Sequence, residues 1–112
     1  MLRKQRTIQN SVHCSGIGLH SGKRVNMLLK PAPVDTGILF VRTDLGGAEI
    51  AAISGNTVAT SYATTLRQSG AAVQTVEHLL GALAGLGISN LSVELDAEEV
   101  PIMDGSATPL CG

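Results

Sequence analysis

The sequence predicts an α+β domain, a mixed, largely antiparallel β-sheet layered against helix. Three observations predict it. Within residues 75–87 the apolar residues Val76, Leu79, Leu80, Leu83 and Leu86 recur at three- and four-residue spacing, the period of a helix with one buried stripe. Shorter stretches alternate apolar with polar residues, most cleanly Leu91-Ser92-Val93-Glu94-Leu95. Glycine and proline clusters separate these stretches at short intervals, as the turns of a strand meander would.

Taken in order, residues 6–13 read as a first, partly exposed strand, ended by Cys14-Ser15-Gly16-Ile17-Gly18. Leu19-His20-Ser21-Gly22-Lys23 makes a second glycine-bounded turn. Val25, Met27 and Leu29 then alternate with Arg24, Asn26 and Lys30, a strand with one buried face, and residues 31–37 turn. Residues 38–42 are apolar enough for a strand buried on both faces. After Gly46-Gly47, residues 49–53 form a short strand and Ser54-Gly55-Asn56 turns again. Residues 62–67 are β-prone, and Gln68-Ser69-Gly70 predicts a hairpin returning through 71–74. In the helix, Thr75 is placed to act as N-cap and Gly87 as the left-handed cap that stops it. The strand at 91–95 follows, then a turn at Ala97-Glu98-Glu99, then Val100-Pro101-Ile102-Met103 leading into Asp104-Gly105-Ser106-Ala107.

Size and charge narrow the function. A chain of 112 residues makes one domain with a modest core; 44% of its residues are apolar but only 2% aromatic, so Val, Ile, Leu and Ala must build that core. A net charge of −1 supplies no basic field, which argues against a nucleic-acid partner. The basic residues 1–6 are followed by no apolar run, so no secretory signal is read there, and no stretch approaches the length of a membrane span. Cys14 and Cys111 make no disulfide framework and are expected as reduced thiols in a cytosol. For the same reason the glycosylation pattern Asn90-Leu91-Ser92 is discounted.

Chemistry is sought first at Glu77-His78. Packing of a helix calls for no acid and imidazole side by side in its first turn. A carboxylate is favoured there by the helix dipole, a neutral imidazole is a common metal ligand, and an adjacent carboxylate can serve as general base toward water. On spacing alone the plainer reading, a surface acid beside a half-buried histidine, outweighs this one. A catalytic zinc needs about three protein ligands, and the only other histidines are His13, at a strand end, and His20, between glycines in a loop that could approach a site. Residues 15–23 resemble a phosphate loop, but Gly16 and Gly22 are one residue too far apart, Arg24 stands where Ser or Thr should, and no helix follows. Asp104-Gly105-Ser106 reads more simply as a turn than as an acid–hydroxyl pair. Glu94, Asp96, Glu98 and Glu99 read as a solvated face.

Three motifs occur together: Gly16-Ile17-Gly18-Leu19-His20-Ser21-Gly22, Thr75-Val76-Glu77-His78-Leu79 through Ala84-Gly85-Leu86-Gly87, and Pro101-Ile102-Met103-Asp104-Gly105-Ser106-Ala107. With Arg6-Thr7, Pro31-Ala32-Pro33, Asp35-Thr36-Gly37 and Arg42-Thr43-Asp44 they make the chain resemble, over nearly its whole length, the N-terminal domain of the bacterial UDP-3-O-acyl-N-acetylglucosamine deacetylases. That resemblance implies one domain of a two-domain β/α sandwich family with the active site between the domains. It implies a cytoplasmic, zinc-dependent hydrolase of lipid A biosynthesis that removes an acetyl group from a nucleotide-sugar lipid precursor. His78 then matches a zinc ligand and Glu77 the general base. His20 falls in a loop near the substrate, and Asp104 in a supporting motif. Ala63 stands where some relatives have a cysteine. The family's second domain, with the remaining zinc ligands, the general-acid histidine and the acyl-chain passage, is expected to be absent, leaving an incomplete Zn2+ site and a chain inactive alone, unless a C-terminal domain or a homodimer completes it. The alternative is a non-catalytic binding or interaction module derived from that domain.

Overall fold

A computed structural model of the protein describes residues 5–18, 20–59 and 64–101. Five strands form the main sheet: β1 (Val12–Ile17), β2 (Arg24–Pro31), β3 (Ile38–Arg42), β4 (Ala48–Ala51) and β8 (Leu91–Leu95), in the order β1-β2-β8-β3-β4. Three more, β5 (Thr57–Ala59), β6 (Thr64–Gln68) and β7 (Ala71–Gln74), make a small antiparallel meander. The single helix among the described residues, α1 (Glu77–Gly85), lies between β7 and β8 in the chain. The α+β class is as the sequence predicts. The simple meander is not, because β8 inserts between β2 and β3, antiparallel to the first and parallel to the second. Local alternation marks β8 as a strand with one buried face; its neighbours are chosen by long-range pairing that no local pattern encodes.

Register explains the core. Val12 faces Leu29, Leu29 faces Val93, Val93 faces Phe40, and Phe40 faces Ile50, one continuous apolar row across all five strands. From Leu29 to Ile50 every member of that row is fully buried. Burying one such side chain contributes about 1.5–3 kcal/mol. Leu66 and Val73 of the small sheet, and Val76, Leu79 and Leu83 at α1, close over the same core.

The next row carries a polar exception. Arg42 sits on the core-facing side of β3, 5% exposed, opposite Leu95 and Ala48. Its Nε and Nη2 donate to the two Asp44 oxygens at 2.9 and 2.7 Å, and its Nη1 donates to the Ala72 carbonyl of β7 at 2.7 Å. The buried guanidinium thereby joins the two sheets.

Several expected boundaries move. The first strand lies at 12–17 rather than 6–13, so the residues expected to break it are inside it. Pairing with β2 overrides the local weakness of Gly16, and Cys14 packs inward as a small apolar residue, 2% exposed. Cys14 is also not a free thiol here, which corrects the expectation of a reduced one; that expectation came from the lack of an export signal, which does not decide the state of an individual sulfur. β5 had no sequence signal. The hairpin at Ser69-Gly70 forms as expected, with φ of 52° and 84°, the two positive values that a tight primed turn demands. Asn90 is buried, its side chain accepting the Gly37 N–H and donating to Gln5, so the discounted glycosylation pattern is a structural asparagine.

Candidate functional site

The helix that carries Glu77 and His78 begins differently from the sequence expectation. Val76, not Thr75, is the residue flanking its start, and no side chain caps it. Thr75 instead takes φ of 62°, a conformation that a β-branched residue rarely adopts. It is held there by its surroundings: its N–H and that of Val76 donate to the Thr64 carbonyl at 3.0 and 3.3 Å. The Thr64 N–H in turn donates to Glu77 Oε2 at 3.1 Å. The first turn of α1 is thus tied to the start of β6 from both sides, and Glu77 is half-buried with one carboxylate oxygen engaged. His78 is exposed, and its side chain makes no hydrogen bond among the described residues.

The far end of α1 stops as expected. Gly87, at φ 73°, donates to Ala84, and Ile88 donates to Leu83, the paired bonds of a Schellman ending. Val76, Leu79 and Leu83 make the buried stripe, Leu80 is half-buried and Leu86 is 40% exposed.

His20 lies in the turn between β1 and β2, where Gly18 donates to Lys23 and Gly22 donates to Gly18. The residue that organises this turn is Glu99, which by sequence pattern belongs to a solvated face. It is 4% exposed. Its Oε2 accepts the His20 N–H at 2.9 Å, His20 Nδ1 at 2.7 Å and the Thr75 hydroxyl at 3.1 Å, while Oε1 accepts the Ser21 N–H at 3.2 Å. Backbone pairing puts it there: Gln74 donates to the Glu98 carbonyl and Val100 donates to the Gln74 carbonyl, laying residues 98–100 beside the end of β7. Burial opposes ionisation of Glu99. The donated bonds from the His20 and Ser21 backbone, the His20 ring and Thr75 outweigh it, and the carboxyl titrates below its ordinary value. A Cβ at Gly18 would run into this carboxylate, which is why glycine stands there. The signal that could have singled out Glu99 was its place directly before Val100-Pro101, an extended segment able to turn a carboxylate inward.

An open cleft of about 520 Å³ borders this cluster. His20, Lys23 and Arg24 line it together with Asp44, Asp96, Glu98 and Glu99, so it carries both signs of charge. Glu77 and His78 are not among its lining residues. The structure links the two candidate centres through Thr75, which bonds Glu99 two residues before Glu77; no hydrogen bond joins His20 to Glu77 or His78 among the described residues. His13 points outward from β1. No group of three or more metal-ligating side chains occurs among the described residues. Asp104, Cys111 and Ala63 lie outside them.

Comparison with known proteins bears on this arrangement. The family model for UDP-3-O-acyl N-acetylglycosamine deacetylase matches residues 5–112. The UDP-3-O-acyl-N-acetylglucosamine deacetylases of Hahella chejuensis, Marinobacter nauticus and Pseudomonas entomophila are 60%, 59% and 57% identical to this chain over 107 residues. Each alignment covers 95% of the chain and 35% of the relative, so the chain spans about a third of the length of the curated relatives it matches.

Proposed function

Because the chain belongs to the UDP-3-O-acyl N-acetylglycosamine deacetylase family, we propose that it is the N-terminal part of a zinc-dependent amidohydrolase. That enzyme acts in the cytoplasm, in lipid A biosynthesis, on the acetamide of an acylated nucleotide sugar. The observation that carries the reading is the pair at the start of α1: among the described residues, an exposed imidazole with no hydrogen-bond partner stands beside a half-buried carboxylate with only one oxygen engaged.

His78 fits a zinc ion as a single ligand: an exposed imidazole can give a nitrogen without breaking any hydrogen bond among the described residues. It fits one corner of a site and not the whole, since three protein ligands are the norm and the described residues gather no such group. The further ligands belong to a C-terminal domain or to a second copy of the chain. A zinc ion bound there supplies Lewis-acid polarisation of the acetamide carbonyl. Glu77 takes a proton from the attacking water as the C–O bond forms, and its bond to the Thr64 N–H holds it in place for that transfer. Breaking the C–N bond, with that proton passed on to the departing nitrogen, releases acetate and the sugar amine. His20, bordering the cleft, contacts the substrate away from the reacting carbon.

The test is a chimaera in which this chain replaces the corresponding 107 residues of the Hahella relative. Zinc-dependent deacetylation is expected from the chimaera, falling by at least about 100-fold in Glu77→Gln, the scale of a lost general base, and in His78→Ala. The 112-residue chain alone should show none. A folded but inactive chimaera would overturn the proposal and favour the non-catalytic module. Activity of the chain alone would show that it completes the metal shell itself.

A further inference from the structure

We propose that Glu99 is a positioning residue of the candidate site, fixing the tautomer of His20 and locking the His20–Ser21 turn onto the residue that leads into α1. This rests on the reading above that His20 meets substrate. An ionised carboxylate has no proton to give, so every group at hydrogen-bond distance from it must be the donor. His20 Nδ1 lies 2.7 Å from Oε2, the shortest of the bonds to Glu99. The proton of the neutral imidazole is therefore on Nδ1, and the lone pair is on Nε2. The His20 side chain is 43% exposed and borders the cleft, so Nε2 is the ring atom free to meet a ligand there.

The backbone excludes another use of the loop. A glycine-rich turn with successive N–H groups aimed outward would bind an anion. Here the His20 and Ser21 N–H groups both donate to Glu99, and the Ser21 hydroxyl accepts the Lys23 N–H. The turn offers an incoming ligand an imidazole nitrogen rather than an amide cradle. That nitrogen accepts a bond from a sugar hydroxyl when the ring is neutral. Because the Thr75 hydroxyl donates to the same carboxylate oxygen, the imidazole and the entry to α1 share one anchor. A purely structural acid would need the backbone donors only; the ring bond is what makes Glu99 a device for His20.

The experiment is a long-range proton–nitrogen correlation spectrum of the histidine rings in the ¹⁵N-labelled protein, at a pH where the rings are neutral. Resonances are assigned with His20→Asn. Wild type is expected to show His20 as a single tautomer protonated at Nδ1. Glu99→Ala is expected to lose that pattern in favour of the Nε2-protonated form, together with the exchange protection of the His20 and Ser21 amides. A wild-type ring protonated at Nε2, or averaging between forms, overturns the proposal. So does a Glu99→Ala ring that keeps Nδ1–H. If that variant does not fold, the wild-type spectrum decides alone. The measurement needs neither metal nor substrate, so it can fail while the chimaera remains active, or succeed while the chimaera does not.

Discussion

A carboxylate with four donors leaves no room for a side chain beneath it, and that constraint reaches back to Gly18. Its missing Cβ is the space that the Glu99 carboxylate and the Ser21 hydroxyl occupy. Gly18→Ala must therefore push the carboxylate off some of its donors, leaving buried polar groups unpaired. Such a loss costs about 1–3 kcal/mol. Urea unfolding should show a lower midpoint with an unchanged slope. Gly22→Ala, whose Cβ meets nothing within 4 Å but whose φ is +67°, should lose only the smaller cost of the left-handed conformation. Equal losses in the two variants would mean that Glu99 yields easily, and that its bonds are weaker than their lengths suggest.

Helix α1 shows how much of an element a sequence carries. Gly87, which the sequence places as the stop, and Gly81 inside the helix have different roles in the structure. Gly87 has φ of 73° and closes the Schellman ending, so Gly87→Ala should destabilise by about 1 kcal/mol. Gly81 is helical and open, with nothing within 4 Å of an added Cβ, so Gly81→Ala should stabilise by about 0.5–1 kcal/mol. Thermal unfolding of the two variants, moving in opposite directions, checks both. The helix, β2, β7 and β8 were legible because apolar period and turn residues are local properties. Glu77 and His78 could be picked out as candidates because an acid and an imidazole in a first turn stand out against a packing pattern. Thr75 misled because its N-cap chemistry was read without the Thr64 carbonyl and Glu99, which claim its N–H and its hydroxyl from elsewhere in the chain. Glu99 was lost among its acidic neighbours for the same reason, its burial being set by a bridge to Gln74 rather than by any alternation around it.

At the scale of the whole molecule the question is what keeps the small sheet in register with the large one, since the candidate site draws on both. Much of the answer is apolar, but Arg42 adds a directional link, from the inner face of β3 to the Ala72 carbonyl of β7. Its partner Asp44 is much the wetter of the two, with side chains 34% and 7% exposed. That asymmetry fixes the order of two substitutions. Arg42→Met fills the space and removes the charge, leaving Asp44 able to turn to water and only the Ala72 carbonyl unpartnered, a cost of about 1–3 kcal/mol. Asp44→Ala leaves the buried guanidinium with one carbonyl and no counter-charge, and should cost more, about 3 kcal/mol, the low end for breaking a buried pair because Asp44 is partly solvated. The hydrogen bond from Arg42 is the chief cause that holds the Asp44 carboxyl below its ordinary value of 3.8. A carboxyl whose folded pKa is depressed contributes its stability above the unfolded value and loses it as pH falls through the folded one. The gap between wild type and Asp44→Ala should therefore be full at neutral pH and shrink in acid below about pH 3.8. Chemical denaturation at pH 7 and in acid would check both statements. If Arg42→Met proved the more damaging variant at pH 7, the link would depend on the guanidinium's reach to Ala72 rather than on its charge balance with Asp44.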